Sequence, residues 1–363
     1  MTVRPARELH PGAWWIWALG MAAAASVLTN PYLLLLEISV VGFVVMMRRS
    51  DHAWAGSFRL YLLLGVLIIA IRVGFRILLG GGVSAPDDTV LFTLPEIPLP
   101  HWVLGIRLLG QVTAASVLAG LYEGLRLAAI VICVGAANSL ANPKRLLKSL
   151  PPALYEIGTT LVVAVSVLPQ LAESVQRVRR ARELRGGDPG RLGRMRRVIV
   201  PVLEDALERS LSLAAGMDAR GYGRSGSASA AHRRRTGALM LAALFGIGTG
   251  SYALLDQTAP RWMSTPMLVA GVALAIAGLW SAGQRVTRSR YRPDRWRIEE
   301  IGVALSGVLV ATGMIGLVTD ALVRDPDLYS APQVPATALV IVLIGLLPAV
   351  VAPPAYAAET VIA

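Results

Sequence analysis

The chain carries few charged residues for its length, and this shortage indicates its class. Only 16% of the 363 residues are Asp, Glu, Lys or Arg, while 55% are apolar. Soluble domains carry about 25% charged residues. The composition therefore excludes an ordinary soluble domain. Together with apolar runs long enough for transmembrane helices, it predicts an all-α polytopic membrane protein.

Residues that carry chemistry are also scarce. Cys133 is the single cysteine, so an intrachain disulfide is impossible, and the four histidines are scattered without metal-ligand spacing. The two lysines, Lys144 and Lys148, lie in no G-x-x-x-x-G-K-[ST] loop, and the chain has no G-x-S-x-G or H-E-x-x-H motif. We therefore predict no catalytic residue, no metal site and no cofactor in this chain. Any ATP-Mg would be bound by a partner.

Apolar runs of membrane length recur along the whole chain. A helix crossing the hydrocarbon core needs about 20 mostly apolar residues. Trp14, Trp15 and Trp17 open the first run and fit an interfacial aromatic belt. The pattern predicts about eight transmembrane helices, near residues 13–28, 31–47, 59–79, 115–138, 237–256, 266–283, 299–319 and 336–352.

The charges of the connecting segments predict the orientation. Segments 48–59, 142–148, 173–235 and 284–297 are basic, whereas 80–102 has three acidic residues and no Lys or Arg. Eight spans with both termini inside place every basic segment on one side, as the positive-inside rule requires. We therefore expect a multi-pass protein of the inner (plasma) membrane with cytoplasmic termini.

Five charged residues interrupt the predicted spans. Charges within a membrane are costly and usually face the interior of a bundle, where they mark a pathway or a coupling site. A purely structural alternative is pairing of Glu37 with Arg72 across helices, or of Glu123 with Arg126 along one helix. The five residues are Glu37, Arg72, Arg76, Glu123 and Arg126.

The basic excess is concentrated in the middle of the chain. Residues 173–235 hold 15 arginines and seven acidic residues, a surplus of eight positive charges out of twelve. This contrast divides the chain into an N-terminal membrane region (1–148, about four spans), a cytoplasmic or interfacial segment (149–235) and a C-terminal membrane region (236–363, about four spans).

Two helices are predicted within the central segment. The first follows Pro151 and Pro152 and changes from apolar to cationic, which favours a helix lying at the cytoplasmic interface. The second has an apolar stripe at helical spacing, with Glu204, Asp205, Glu208, Arg209 and Ser212 on its other face. The stripe consists of Ile199, Leu203, Ala206, Leu207, Leu213, Ala214 and Met217.

Both helices end on Arg-Gly. A glycine past the end of a helix is an ordinary cap, and an arginine there suits the helix dipole. The segments "ARELRG" (181–186) and "GMDARGYG" (216–223) nevertheless resemble the paired arginine motifs of the transmembrane T subunit of energy-coupling factor (ECF) transporters, the EcfT/CbiQ family. The second motif is closer to the family pattern, with Gly216 and Asp218 in place of Ala and Glu.

The resemblance implies a non-catalytic coupling subunit of an ATP-driven uptake transporter. Arg185 and Arg220 would be the tips of coupling helices, each entering a groove on one of two ABC-type ATPase subunits. Ala181, Gly186, Ala219 and Gly221 would complete the two motifs. The same helices would carry a small substrate-binding membrane (S) subunit for a vitamin or a metal ion. The last three spans (266–352) depart from the family pattern, which commonly ends soon after the coupling helices.

Two other functions compete with this one. A self-contained channel or secondary transporter would need broken helices with ion ligands or an internal repeat, and the sequence shows neither. A membrane-anchored nucleic-acid binder could use the basic stretch 177–197, but that stretch has no interleaved aromatic residues for base stacking. Contact with anionic lipid explains the basic stretch better, so no nucleic-acid partner is expected.

Overall fold

The computed structural model describes residues 7–50, 56–79, 88–95, 109–149, 152–184, 191–222, 229–256, 258–260, 262–284 and 294–354. These residues are almost all helical, which confirms the all-α fold. Two short strands, β1 (Val90–Thr93) and β2 (Gln111–Thr113), pair antiparallel. The helices are α1 (Pro11–Ser26), α2 (Pro31–Arg48), α3 (Phe58–Leu78), α4 (Ala114–Leu140), α5 (Pro143–Lys148), α6 (Tyr155–Glu183), α7 (Arg191–Ala219), α8 (Ala230–Leu255), α9 (Thr265–Gly283), α10 (Ile298–Gly316), α11 (Ala321–Arg324), α12 (Ala336–Ile344) and α13 (Leu347–Val351).

Seven helices in the described part of the chain are long and apolar enough to cross a membrane: α2, α3, α4, α6, α8, α9 and α10. Six of them coincide with predicted spans. The predicted first span is α1, a shorter helix of 16 residues. By length and composition α6 also qualifies, although the charge pattern favoured an interfacial helix there. Its position in the bilayer stays a prediction.

The last predicted span is two helices rather than one. α12 ends before Gly345, and α13 begins at Leu347 with a proline in its first turn. Pro348 has no N–H to continue the hydrogen-bond ladder of α12, so the helix stops and restarts.

The chain forms two compact units. Unit 1 comprises Met1–Leu146 and Asp294–Ala363, and unit 2 comprises Leu147–Pro293. These two units reflect contacts within the fold. The division of the chain into 1–148, 149–235 and 236–363 rests on hydropathy and charge, and it stays a prediction.

The centre of unit 1 is a close contact between α1 and α10. A Cβ atom added to Gly20 would lie 2.2 Å from the carbonyl oxygen of Gly307, and one added to Gly307 would lie 2.4 Å from Cα of Trp17. The two backbones therefore touch without side chains between them, as small residues allow in membrane helices. Helix α10 belongs to the same core as the first helices of the chain.

The tryptophans of α1 are part of this core. Trp17 is fully buried and Trp14 is nearly so, so the prediction that they form an interfacial belt is wrong for both. The indole Nε1–H of Trp17 donates to the carbonyl of Gly345 at 3.2 Å. This bond occupies a carbonyl at the break after α12, and it ties that break to the first helix.

Ion pairs hold one end of unit 1 together. Arg145 donates to the Glu8 carboxylate at 3.1 Å and also bonds Asp294. Arg7 bonds the buried Glu300 near the start of α10. Arg145 and Asp294 flank the two points where the chain leaves unit 1 and returns to it. We call the group formed by Arg7, Glu8, Arg145, Asp294 and Glu300 the arginine clasp.

In unit 2, glycines join α8 to α9. A Cβ atom added to Gly246 would lie 2.9 Å from Cα of Gly271, and one added to Gly250 would lie 2.6 Å from the backbone nitrogen of Leu268. The two helices thus pack backbone to backbone along part of their length.

Replacing Gly20 by alanine should destabilise the protein, because the new methyl group would meet the backbone of α10. Overpacking of this kind costs about 1–3 kcal/mol. Thermal unfolding of the full chain in detergent measures the loss. Gly42→Ala in α2 is the matched control, since nothing lies within 4 Å of its Cβ position. The control should leave the melting temperature unchanged or raise it, because alanine is the better helix former. Equal losses in both variants would contradict the α1–α10 contact.

Candidate functional site

Helices α6 and α7 pack against each other through a polar contact. The Ser174 hydroxyl donates to Oδ2 of Asp205 at 2.6 Å, and Nε of Arg209 donates to Oδ1 at 3.0 Å. Asp205 and Arg209 are four residues apart on α7, the helical spacing at which opposite charges pair. From this contact α6 continues for about 13 Å and α7 for about 21 Å to their carboxyl-terminal ends. The first arginine motif begins in the last turn of α6, and the second lies at the end of α7.

The second motif closes α7 with a Schellman cap. Gly221 has φ +75°, the left-handed conformation that glycine adopts without strain. Its N–H bonds the carbonyl of Asp218 at 2.9 Å, and the N–H of Tyr222 bonds the carbonyl of Met217 at 3.1 Å. These are the two bonds of the motif. The cap therefore fixes where the helix stops, and Arg220 is the residue between the end of α7 and the cap glycine.

Arg220 is exposed at this tip, and so are Ala219 and Tyr222. No ion pair with Arg220 occurs within the described ranges. In the first motif, Ala181 is exposed and Leu184 is 88% exposed just past α6. Arg185 and Gly186 lie outside the described residues, so their role stays a prediction.

The apolar stripe of α7 is not covered by its own unit. Leu203 and Leu207 are each 61% exposed and Leu211 is 63% exposed, at four-residue spacing. From residue 198 onward, where the structure describes the side chains of this helix, Val202 is buried. The sequence predicts the stripe correctly but misses Leu211, which has the same helical spacing. Exposed apolar rows on a helix too polar to be a span are typical of binding surfaces.

Charged residues in the predicted spans pair differently from either proposed arrangement. Glu123 of α4 accepts from Nη2 of Arg76 at 2.9 Å and lies 3.5 Å from Nη1 of Arg72, both on α3. The stems of these arginines pack at Gly120 and Gly124. Glu37 is fully buried, and neither of its oxygens has a hydrogen-bond partner in the described structure. The Glu37–Arg72 and Glu123–Arg126 pairings are therefore not observed.

Nothing in the described ranges gathers three or more His, Cys, Asp or Glu side chains as a metal site would. The groups arranged for contact are the arginine tip and the leucine row of α7. Several apolar helices of membrane length accompany them in the same chain. The fold and this site define a polytopic membrane protein with a helix pair, α6–α7, one of whose ends carries an exposed arginine.

Comparison with known proteins identifies the family. The CbiQ family model, described as "Cobalt transport protein", matches residues 2–230. The chain is also 29% identical over 201 residues to the "Energy-coupling factor transporter transmembrane protein EcfT" of Limosilactobacillus fermentum (strain CECT 5716 / Lc40), covering 53% of this chain and 70% of that protein. The chain belongs to the EcfT/CbiQ family and is a transmembrane component of an ECF-type transporter.

Gly221→Ala should disorder the end of α7, because an L-residue held at positive φ costs about 1–2 kcal/mol. Hydrogen–deuterium exchange of the backbone amides around Arg220 to Tyr222 should become faster. Gly216→Ala, within the same motif, is the control, because its Cβ position is empty and its backbone is helical. It should slow exchange or leave it unchanged. If Gly216→Ala accelerated exchange as much, the cap would not be what orders the tip.

The α6–α7 contact should weaken in acid. The Ser174 hydrogen bond, aided by the Arg209 guanidinium, holds the pKa of Asp205 below its ordinary value. A lowered carboxyl pKa stabilises the contact above the ordinary aspartate range, and the stabilisation disappears as pH falls through the lowered pKa. Electron-spin distance measurements between labels at exposed Ala172 and Ser212, in a Cys133→Ser background, should show a broader distribution in acid. Asp205→Ala should be broad at both pH values; a pH response persisting in that variant would assign it to another group.

Proposed function

We propose that this chain couples ATP hydrolysis by two cytoplasmic ABC-type ATPase subunits to uptake through a small substrate-binding membrane subunit. Arg185 and Arg220 each enter a groove on one ATPase subunit, with Ala181, Gly186, Ala219 and Gly221 shaping the two tips. The observation that carries the proposal is the exposed Arg220 on a helix end whose position is fixed by the Gly221 cap.

The chemistry of an arginine tip fits docking into a protein groove. The guanidinium is always charged and presents a rigid planar fork of donors. Such a fork can bond a carboxylate in two places or take several carbonyl oxygens. A capped helix keeps the fork at a fixed distance from the α6–α7 contact. A movement of the ATPase groove that holds Arg220 is therefore transmitted along α7.

The leucine row of α7 supports the second half of the proposal. Leu203, Leu207 and Leu211 form an exposed apolar strip on one face of the helix. An amphipathic helix with such a strip fits a hydrophobic groove or another apolar helix. We assign this strip to the small membrane subunit, because that partner is itself apolar.

The energy source lies in the partners. The sequence lacks a phosphate-binding loop, so the chain is a non-catalytic subunit without a cofactor of its own, and ATP-Mg belongs to the ATPase subunits. By the positive-inside rule, we propose that the α6–α7 pair and both termini lie in the cytoplasm and that the chain lies in the inner membrane. A vitamin or a transition-metal ion is the proposed substrate class, selected by the small subunit.

Arg220→Ala should loosen the complex and uncouple ATP hydrolysis from uptake. Loss of one side of a buried, hydrogen-bonded charge pair costs about 2–5 kcal/mol of binding. Purification from native membranes should recover two ATPase subunits and a small hydrophobic protein with the wild-type chain, and less ATPase with the variant. Arg220→Lys should restore binding only in part, because a point charge does not replace the fork. The Arg185→Ala/Arg220→Ala double variant should lose both ATPase subunits.

Arg194→Ala is the control, since Arg194 belongs to the same basic stretch and to neither motif. It should retain the complex. Equal losses in the Arg194 and Arg220 variants would mean that overall positive charge, not a docking tip, holds the ATPases. ATP-independent uptake by the purified chain in vesicles would instead support a self-contained transporter.

A further inference from the structure

The α8–α9 hairpin has one strongly basic end. Arg233, Arg234 and Arg235 follow one another in the first turns of α8, and all three are exposed. None of them makes an ion pair within the part of the chain that the structure describes. The sequence has no acidic residue from 219 to 255 or from 257 to 293. This positive charge is therefore uncompensated along the whole hairpin, except for Asp256 at its opposite end.

Hydrogen bonds bring the end of α9 to the same level. Nε2 of His232 lies 3.2 Å from the carbonyl oxygen of Ser281, and the hydroxyls of Thr236 and Ser281 are 3.0 Å apart. Trp280 precedes Ser281 and is 75% exposed. A large exposed indole thus lies at the same end of the hairpin as the three arginines, on the other helix.

The dimensions of the hairpin match those of a bilayer. From Thr236 to Leu255 the rise of α8 is about 28 Å, close to the roughly 30 Å of hydrocarbon. Trp262, 65% exposed, lies near the far end, so a tryptophan marks each end as in interfacial aromatic belts. The arginine triplet lies just beyond the apolar part, which is the headgroup level of a bilayer that the hairpin spans.

Helix energetics do not explain the triplet. Cations near the amino-terminal end of a helix are opposed by the positive end of the helix dipole. The three side chains are exposed, so they add little to the packing of the hairpin. Their arrangement is locally unfavourable, and a ligand of negative charge would remove that disadvantage.

We propose that Arg233, Arg234, Arg235 and Trp280 form a binding site for the headgroups of anionic phospholipids. The guanidinium groups take the phosphate oxygens, while the indole lies at the boundary between headgroup and acyl chain. Lipid is the occupant because the charges continue directly from an apolar helix of membrane length. A lipid bound in this way would anchor the α8–α9 hairpin to acidic bilayers.

Native mass spectrometry of the purified full chain tests the site by titration with phosphatidylglycerol and with phosphatidylcholine. Wild type should bind phosphatidylglycerol more tightly. Arg233→Gln/Arg234→Gln/Arg235→Gln should raise its apparent Kd roughly 100-fold, because each basic residue near an anionic surface contributes about a fivefold factor. The corresponding triple lysine variant should keep most of the affinity, which separates loss of charge from loss of fold.

The comparison variant is Arg177→Gln/Arg179→Gln/Arg180→Gln, three exposed arginines of α6 in the same unit. Because the stretch 177–197 is itself expected to contact anionic lipid, this variant should weaken phosphatidylglycerol binding, but by much less than the α8 variant, since it leaves the proposed site intact. Equal weakening by both triple variants, or equal affinity of wild type for the two lipids, would overturn the proposal. Full competition by inorganic phosphate at matched concentration would also overturn it, because the ligand would then be free phosphate rather than lipid.

Discussion

Direct backbone contact between α1 and α10 is the constraint on which the arrangement of unit 1 depends. Gly20 and Gly307 leave no room for a side chain, so the two helices have one way to pack at this point. The contact places the break between α12 and α13 within reach of the Trp17 indole, whose N–H bonds the Gly345 carbonyl. It also brings the start of α10 to the arginine clasp. The C-terminal helices are therefore part of the core, although the family match ends before them.

Much of the fold could be predicted from the sequence, because membrane helices are recognised by length and hydropathy alone. Six predicted spans coincide with α2, α3, α4, α8, α9 and α10. Hydropathy does not tell which apolar face touches protein and which touches lipid. Trp14 and Trp17 were expected at an interface for this reason, and they are in the core. The pairing of Glu123 with two arginines of α3 depends on helix packing, which no local pattern reveals.

The candidate site was predictable to the extent that it is local. Gly221 after an amphipathic helix indicates a cap, and the structure shows both bonds of that cap. The Asp205–Arg209 pair follows from helical spacing in the same way. The bond from Ser174 to Asp205 joins two helices, so the sequence could not identify it. The sequence could not predict that Leu203, Leu207 and Leu211 are exposed. An apolar stripe has the same sequence pattern whether it packs against its own chain or against another protein.

The bond from Trp17 to Gly345 also has a consequence for biosynthesis. Its partners are 328 residues apart in the chain. At a translation rate of about 5–20 residues per second, the ribosome needs tens of seconds to travel between them. The first helix enters the bilayer long before α10 or the Gly345 carbonyl exists. During that interval its glycine face and its indole N–H must find provisional neighbours, in lipid, in α2 and α4, or in the insertion machinery. This contact of the membrane core is completed only after Gly345 has been made.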